Sequence, residues 1–306
     1  MTDISKTVKD IIARYGENKT PANIDRPRQP GKAAVIEILD SLQKLIFPGY
    51  FETKRLSGEY IEYYVGELVE NVKYKLEKQI VYALRCCPDG MKLDEEKKAE
   101  LAVEKTASFL ETIPRIQEYL DTDVQATFDG DPAAASYDEI IYSYPGIYAI
   151  MVARIAHELY LLSVPLIPRI MTEHAHSLTG IDINPGAQIG KYFCIDHGTG
   201  IVIGETSVIG NHVKMYQGVT LGGISTAAGQ QLKGKKRHPT IMDNVTIYSG
   251  ASILGGDTVI GEGTVIGGNV FVTSSVEANQ RVTIKNQELR FTARRKSSGD
   301  DKRKAN

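Results

Sequence analysis

Residues 183–221 read INPGAQ IGKYFC IDHGTGIV IGETSV IGNHVK MYQGVT L, and residues 241–272 read IMDNVT IYSGAS ILGGDTV IGEGTV IGGNVF V. An aliphatic residue opens each unit, from Ile183 and Ile189 to Leu221, then from Ile241 to Val272. Small residues fill the gaps, and no helical period is present. Self-similarity at a fixed period is the signature of a solenoid. Three sixes make one triangular turn of a parallel β-helix, with the aliphatic residues pointing inward. Successive turns then stack at the strand spacing of about 4.7–4.9 Å. Gly and Asn serve the corners because they tolerate positive φ. A β-sandwich, with strands recurring every ~8–12 residues, accounts poorly for so many sixes. Two steps break the period, from Ile195 to Ile203 and from Ile253 to Ile260, and a loop separates Leu221 from Ile241.

Composition sets outer limits. The 306 residues suffice for about two domains. Hydrophobic content of 42% and charged content of 24% are those of an ordinary soluble globular chain. A net charge of −2 supplies no field for nucleic acid or an anionic membrane. No N-terminal signal and no long apolar run stand out. Cys86, Cys87 and Cys194 form neither a disulfide framework nor a metal-ligand pattern. A reducing cytoplasm is the expected location.

Ahead of the repeat the pattern is helical. Residues 1–31 are polar and proline-bearing and read as a mobile arm with a short helix near Ile11. A helix over 32–47 stops at Pro48-Gly49. The next places Ile61, Tyr64, Val65, Leu68, Val69, Val72, Leu76, Ile80 and Leu84 on one face. Residues 93–119 form another, with Leu101, Leu110 and Ile113 inward and a kink or break at Pro114. Asp129-Gly130-Asp131-Pro132 ends that pattern. A helix follows from about Asp138 to Leu162, and a short one reaches about Leu178. Tyr60, Tyr63, Tyr64, Tyr74 and Tyr82 are expected as half-buried packing residues. The domains are therefore a 1–31 arm, a 32–180 helical domain, a 181–276 β-helix with a loop over 224–239, and a 277–306 tail. The helices can cap the first turn of the solenoid.

Three stretches stand out from the scaffold: Asp196-His197-Gly198-Thr199-Gly200 at the eight-residue step, Thr220-Leu221-Gly222-Gly223 before the loop, and Arg237-His238-Pro239 at its end. A loop leaving a rigid scaffold is where function is expected. The sixes resemble the hexapeptide-repeat, left-handed parallel β-helix proteins. Over residues 129–276 the chain resembles one family among them, the serine O-acetyltransferases. The residues that carry this are Asp131-Pro132-Ala133, Asp182-Ile183-Asn184-Pro185, the run from Asp196 to Thr206, the run from Gln217 to Gly223, and Arg237-His238-Pro239. A helical domain ahead of the β-helix matches too, so the fold class expected is α+β.

The resemblance implies acetyl transfer from acetyl-CoA to the hydroxyl of L-serine, giving O-acetyl-L-serine for cysteine biosynthesis. An alcohol needs a base to take its proton as the bond forms. His197 is that base, since imidazole titrates near working pH, and the same ring can protonate the departing thiolate. The partner implied for His197 is Asp182, one turn earlier along the sixes. The oxyanion would be met by backbone N–H groups near Gly222-Gly223, or by His238. The resemblance assigns Asp131 and Asp196 to the serine amino group and Arg237 with His238 to its carboxylate, with Glu205 near the substrate. CoA would run along the β-helix edge past Gly223, Ser249 and Gly268, with Gly222 beside it. No metal and no covalent intermediate are implied, and Cys194 is not needed. Trimers are implied, with each site shared between neighbouring copies, and so are dimers of trimers.

Alternatives remain. Homoserine or succinyl-CoA could replace serine or acetyl-CoA. A zinc hydro-lyase of β-helix type would need converging histidines, for which His197, His212 and His238 exist. A non-catalytic scaffold would have no use for Asp131, His197 and Arg237 together. There are also departures from the family. The loop 224–236 is longer than expected, Tyr248 stands where a small residue is common, and the Pro/Gly-rich turn expected after Val276 is missing. The tail from Arg294 is expected to be disordered. Inhibition by cysteine in the serine pocket is implied. The chain ends at Asn306 rather than the isoleucine that docks many relatives to O-acetylserine sulfhydrylase, so docking by that route is not expected.

Overall fold

The structure is a computed structural model, and it describes residues 4–16, 28–52, 57–58, 60–225, 229–232 and 234–285. The charged tail from Arg294, Asn306 and part of the N-terminal arm and of the long loop lie outside these residues.

Eight α-helices precede the strands among the described residues: α1 (Ile4–Gly16), α2 (Lys32–Ile46), α3 (Ile61–Leu84), α4 (Glu95–Leu110), α5 (Ile113–Gly130), α6 (Tyr137–Ser143), α7 (Pro145–Leu161) and α8 (Ile167–Thr179). Prolines act as helix starters rather than as kinks in α5, α7 and α8. Pro114 sits in the first turn of α5, so the stretch expected over 93–119 is two helices. Pro145 likewise opens α7 and divides the helix expected from Asp138 to Leu162. Proline suits a first turn because its missing N–H has no partner there in any case. The apolar face of α3 is buried only from Val72 onward; Ile61 and Val65 are exposed, and Tyr64, Leu68 and Val69 half-buried. Tyr60, Tyr63 and Tyr74 are exposed, against the half-buried state expected of them.

Fourteen short strands among the described residues then wind a three-faced parallel β-helix of about five turns. Face A holds β1 (Asp182–Ile183), β4 (Val202–Ile203), β7 (Thr220–Gly222), β10 (Ser252–Leu254) and β13 (Phe271–Val272). Face B holds β2 (Gln188–Ile189), β5 (Val208–Ile209), β8 (Thr240–Ile241) and β11 (Val259–Ile260). Face C holds β3 (Cys194–Asp196), β6 (Lys214–Tyr216), β9 (Thr246–Ile247), β12 (Val265–Ile266) and β14 (Arg281–Val282). The register follows the sixes. Ile183 pairs with Ile203 and Ile203 with Leu221; Ile209 pairs with Ile241, and Met215 with Ile247. Nearly all of these side chains are buried, each worth about 1.5–3 kcal/mol of hydrophobic free energy.

The corners explain the small residues. The B–C corner is left-handed in every turn, through Tyr192, His212, Asn244, Gly263 and Asn279. The C–A corner uses Gly200, Gly218, Gly250 and Asn269. The eight-residue step adds two more left-handed residues there, His197 at φ 58° and Gly198 at φ 87°. A histidine in that region is uncommon and carries strain of order 1–3 kcal/mol, which accumulates at functional sites.

Helices α5, α7 and α8 close the first turn. Arg154 of α7 donates to both carboxylate oxygens of Asp123 in α5, at 2.7 and 2.8 Å, and to the carbonyls of Ile189 and Gly190 at 3.1 and 2.7 Å. Asp123 also accepts the Phe193 amide at 2.9 Å. The helices and the solenoid thus share one buried polar joint and one hydrophobic core.

Candidate active site

The proposed site residues fall into two groups at two different corners. The first group surrounds the C–A corner of the opening turn. A cavity of about 400 Å³ is lined there by Thr127, Asp131, Tyr144, Asp196 and His197, among others. His197 is 72% exposed, and its Nε2 stands 3.8 Å from Oδ1 of Asp196. Asp131 caps the end of α5; its Oδ2 accepts the Tyr144 hydroxyl at 2.7 Å and its Oδ1 the Ala133 amide at 2.9 Å. Those two bonds, Tyr144 first, hold its carboxyl below the usual range, and the same contact pushes the Tyr144 phenol up to about 12. Lys214 stands 3.3 Å from Asp196 Oδ2. Cys194 lies beneath, and burial pushes its thiol up to about 11, which leaves it a poor nucleophile.

Asp182, the partner implied for His197, is placed differently. It starts β1 on face A, pairs in register with Val202, and faces Arg169 at 3.6 Å. No hydrogen bond or ion pair joins it to His197 among the described residues. The exposed imidazole instead turns to the nearest carboxylate, Asp196. Asp182 also belongs to the group Glu173, His176 and Asp182, whose ligand atoms lie within 4.8 Å of one another. Arg169 already pairs with Glu173 and Asp182 there.

The second group sits at the A–B corner. Arg237 pairs with Glu205, and the Tyr160 hydroxyl donates to the same carboxylate at 3.2 Å. Burial alone would raise the Glu205 pKa; its bond with Arg237 outweighs that and holds it low. Glu205 therefore engages the guanidinium directly. Thr206 organises the rest. Its Oγ1 accepts the Arg237 and His238 amides at 2.9 and 3.1 Å, and its amide donates to His238 Nδ1 at 3.0 Å. Accepting at Nδ1 leaves the proton of a neutral ring on Nε2. Burial, then the charge of Arg237, push His238 down to about 4, so the ring is neutral at pH 7 and offers a donor. Lys236 is tied to the carbonyls of Thr206 and His238, both at 2.6 Å. The loop end is thereby locked onto the corner.

Gly204 is required by this packing. A Cβ there would lie 2.1 Å from Cδ2 of His238. Gly204→Ala is expected to push the ring out of its Thr206 contact and to lower activity by about tenfold or more, since overpacking costs roughly 1–3 kcal/mol. Thiol-release kinetics on the variant check this, and a wild-type rate would remove His238 from the site.

The residues proposed for CoA divide in the same way. Ser249 and Gly268 stack at the C–A corner, where a Cβ on Gly268 would lie 3.3 Å from the Ser249 carbonyl. Gly222 and Gly223 lead into the A–B corner. Tyr248, next to Ser249, stacks on Tyr216 with ring centres 5.0 Å apart. His212 is at the third corner, stacked on Tyr192 at 4.2 Å, so His197, His212 and His238 occupy three separate corners of one chain. Sequence reasoning missed Tyr144, Thr206 as an organiser, and Lys214. Position 144 carries no pattern that links it to Asp131.

No family model matches the sequence. A serine acetyltransferase of Synechococcus elongatus, plasmid-borne, is 45% identical over 227 residues, covering 72% of this chain and 71% of that protein. The crystal structure of serine acetyltransferase isoform 3 from Entamoeba histolytica in complex with cysteine superposes with a TM-score of 0.72 at 34% identity, covering 94% of each chain. Serine acetyltransferase from Neisseria gonorrhoeae in complex with serine superposes with a TM-score of 0.53 at 26% identity, over 82% of this chain and 97% of that one. Similarity of that extent in sequence, joined to the same helical region and β-helix, shows that the chain belongs to the serine acetyltransferase family.

Proposed function

We propose that the chain transfers the acetyl group of acetyl-CoA to the hydroxyl of L-serine, at a site completed between neighbouring copies. The observation that carries this is the separation of the two groups by face A. Asp131, Asp196 and His197 stand at its C–A edge, and Glu205, Arg237 and His238 at its A–B edge. Face A itself exposes apolar residues, with Val202 at 38% and Phe271 at 68%. Three copies turning face A toward a common axis would set the C–A corner of one against the A–B corner of the next.

In that arrangement Asp131 and Asp196 receive the serine ammonium. Arg237 of the neighbour takes the carboxylate, where a planar guanidinium can bond both oxygens, and the His238 Nε2–H adds a third donor. His197 removes the hydroxyl proton as oxygen attacks the thioester carbonyl. The oxyanion of the tetrahedral intermediate is met by backbone N–H groups near Gly222 and Gly223. Collapse breaks the C–S bond, and His197 returns the proton to the CoA thiolate. The orienting role of Asp182 requires the exposed His197 ring to turn from Asp196 on binding. L-cysteine presents the same ammonium and carboxylate and would compete for these contacts. No helix among the described residues is long and apolar enough to cross a membrane.

The test is thiol release from acetyl-CoA with L-serine, L-homoserine or L-threonine, and from succinyl-CoA with L-serine. Release is expected for acetyl-CoA with serine. Faster turnover with homoserine or with succinyl-CoA would overturn the assignment.

A further inference from the structure

Lys214 is a cation that the reaction as described does not use. It lies on the outer surface of face C, one rung above Cys194 in register. Its side chain is only 19% exposed. Its Nζ donates to the carbonyl of Gly130 at 2.6 Å, stands 3.3 Å from Oδ2 of Asp196, and lies 4.7 Å from the centre of the Tyr216 ring. Tyr216 is in turn covered by Tyr248. The ammonium is therefore held between two carbonyl-type oxygens and an aromatic face. It lines a cavity of about 260 Å³ together with Asp129, Tyr192 and His212, while its partner Asp196 lines the one of about 400 Å³ that contains Asp131 and His197.

The two oxygens it joins come from different parts of the fold. Gly130 ends α5, where the negative end of the helix dipole favours a cation. Asp131 follows Gly130 directly. Asp196 belongs to β3. A single ammonium thus ties the end of α5, beside Asp131, to the Asp196 rung. It also changes the charge of the pocket. Two facing carboxylates without a cation repel, and one of them tends to bind a proton. With Lys214 in place both can stay ionised, and the local charge is −1 rather than −2.

We infer that Lys214 is a positioning residue for the acceptor: it fixes Asp131 and Asp196 at the spacing and net charge that receive one singly charged amino group. The inference rests on the reading above that these two carboxylates hold the serine ammonium. Lys214 acts through them and does not touch the hydroxyl or the thioester. Acceptors without an amino group lose the reason for this arrangement, so what it selects is an acceptor with one free ammonium.

The experiment is steady-state kinetics of the full chain, with serine and acetyl-CoA varied separately, for wild type, Lys214→Met, Lys214→Gln and Lys214→Arg, beside thermal unfolding of each. Lys214→Met removes charge and donor at similar volume. Lys214→Gln keeps a donor for the Gly130 carbonyl and removes the charge. Both are expected to raise KM for serine at least about tenfold, the loss of one charge-assisted contact, with KM for acetyl-CoA unchanged. Lys214→Arg is expected to recover most of the loss. An unchanged or lower KM for serine in the Met and Gln variants would overturn the inference, as would equal losses for both substrates that follow a fall in Tm. If Lys214→Met does not fold, the Gln and Arg pair decides by the same criterion. A wild type that releases no thiol with serine would instead overturn the functional reading itself.

Discussion

Replacing His197, the base of the proposed reaction, by asparagine or alanine is expected to lower kcat by about 10²–10⁴, the usual contribution of a positioned general base. Both KM values should stay within a fewfold, because the ring makes no bond that holds Asp131, Arg237 or the CoA corner. Stability should be nearly unchanged. The side chain is 72% exposed, so little packing is lost. Asparagine is the better probe, since it tolerates the left-handed φ of 58° that this corner demands. Cys194→Ser is the matching control. A thiol held near 11 by burial contributes no thiolate, so that variant should keep its rate. A His197→Asn variant with full turnover would remove the base from the mechanism.

Arg154→Met should unfold at much lower temperature without any direct effect on chemistry. The guanidinium is buried, and it satisfies both oxygens of Asp123, which is wholly inaccessible, together with two carbonyls of the first β-helix turn. Removing one partner of a buried ion pair leaves the other charge uncompensated, at a cost of about 3–5 kcal/mol. For a chain of this size that corresponds to roughly 10 °C in Tm. Asp123→Asn should cost less, because an amide can still accept from Arg154. The double variant Asp123→Leu with Arg154→Met should recover part of the loss, since apolar replacement of both partners removes the stranded charge. Thermal unfolding by circular dichroism reads all three. A drop of less than about 2 °C for Arg154→Met would show that the helices and solenoid are joined by apolar packing alone.

The solenoid was legible because its period is written in side-chain size. Each aliphatic residue that opens a six points inward, and Ile203–Leu221 or Met215–Ile247 become neighbours by counting alone. The same counting separates the site. His197 follows a third six and Gly222 a first, so they lie at different corners of the triangle. The helical region was less legible where proline has two meanings. Pro114 and Pro145 could kink a helix or start one, and only the tertiary packing, with α4 on α3 and α5 on α7, decides between them. On α3 the apolar stripe continues past the core that could bury it, so its first half is exposed. Lys214 and Tyr144 escaped notice because their roles depend on groups 84 and 13 residues away, Gly130 and Asp131, brought near by the docking of α5 on the first turn. The orientation of His197 toward Asp196 was likewise hidden, since an adjacent residue in a strand would ordinarily point away; the positive φ at the corner turns it back.

On the proposed function, one catalytic centre is built from two corners on two chains. Mixing subunits tests it most directly. His197→Ala and Arg237→Ala are each expected to be inactive alone. Unfolding and refolding them together at equal ratio is expected to restore activity to about a quarter of wild type. In random trimers about three in four contain one interface that pairs an intact His197 with an intact Arg237. A mixture that stays as inactive as its parents, while forming mixed oligomers, would place His197 and Arg237 in the same chain's site and rule out a site shared between copies.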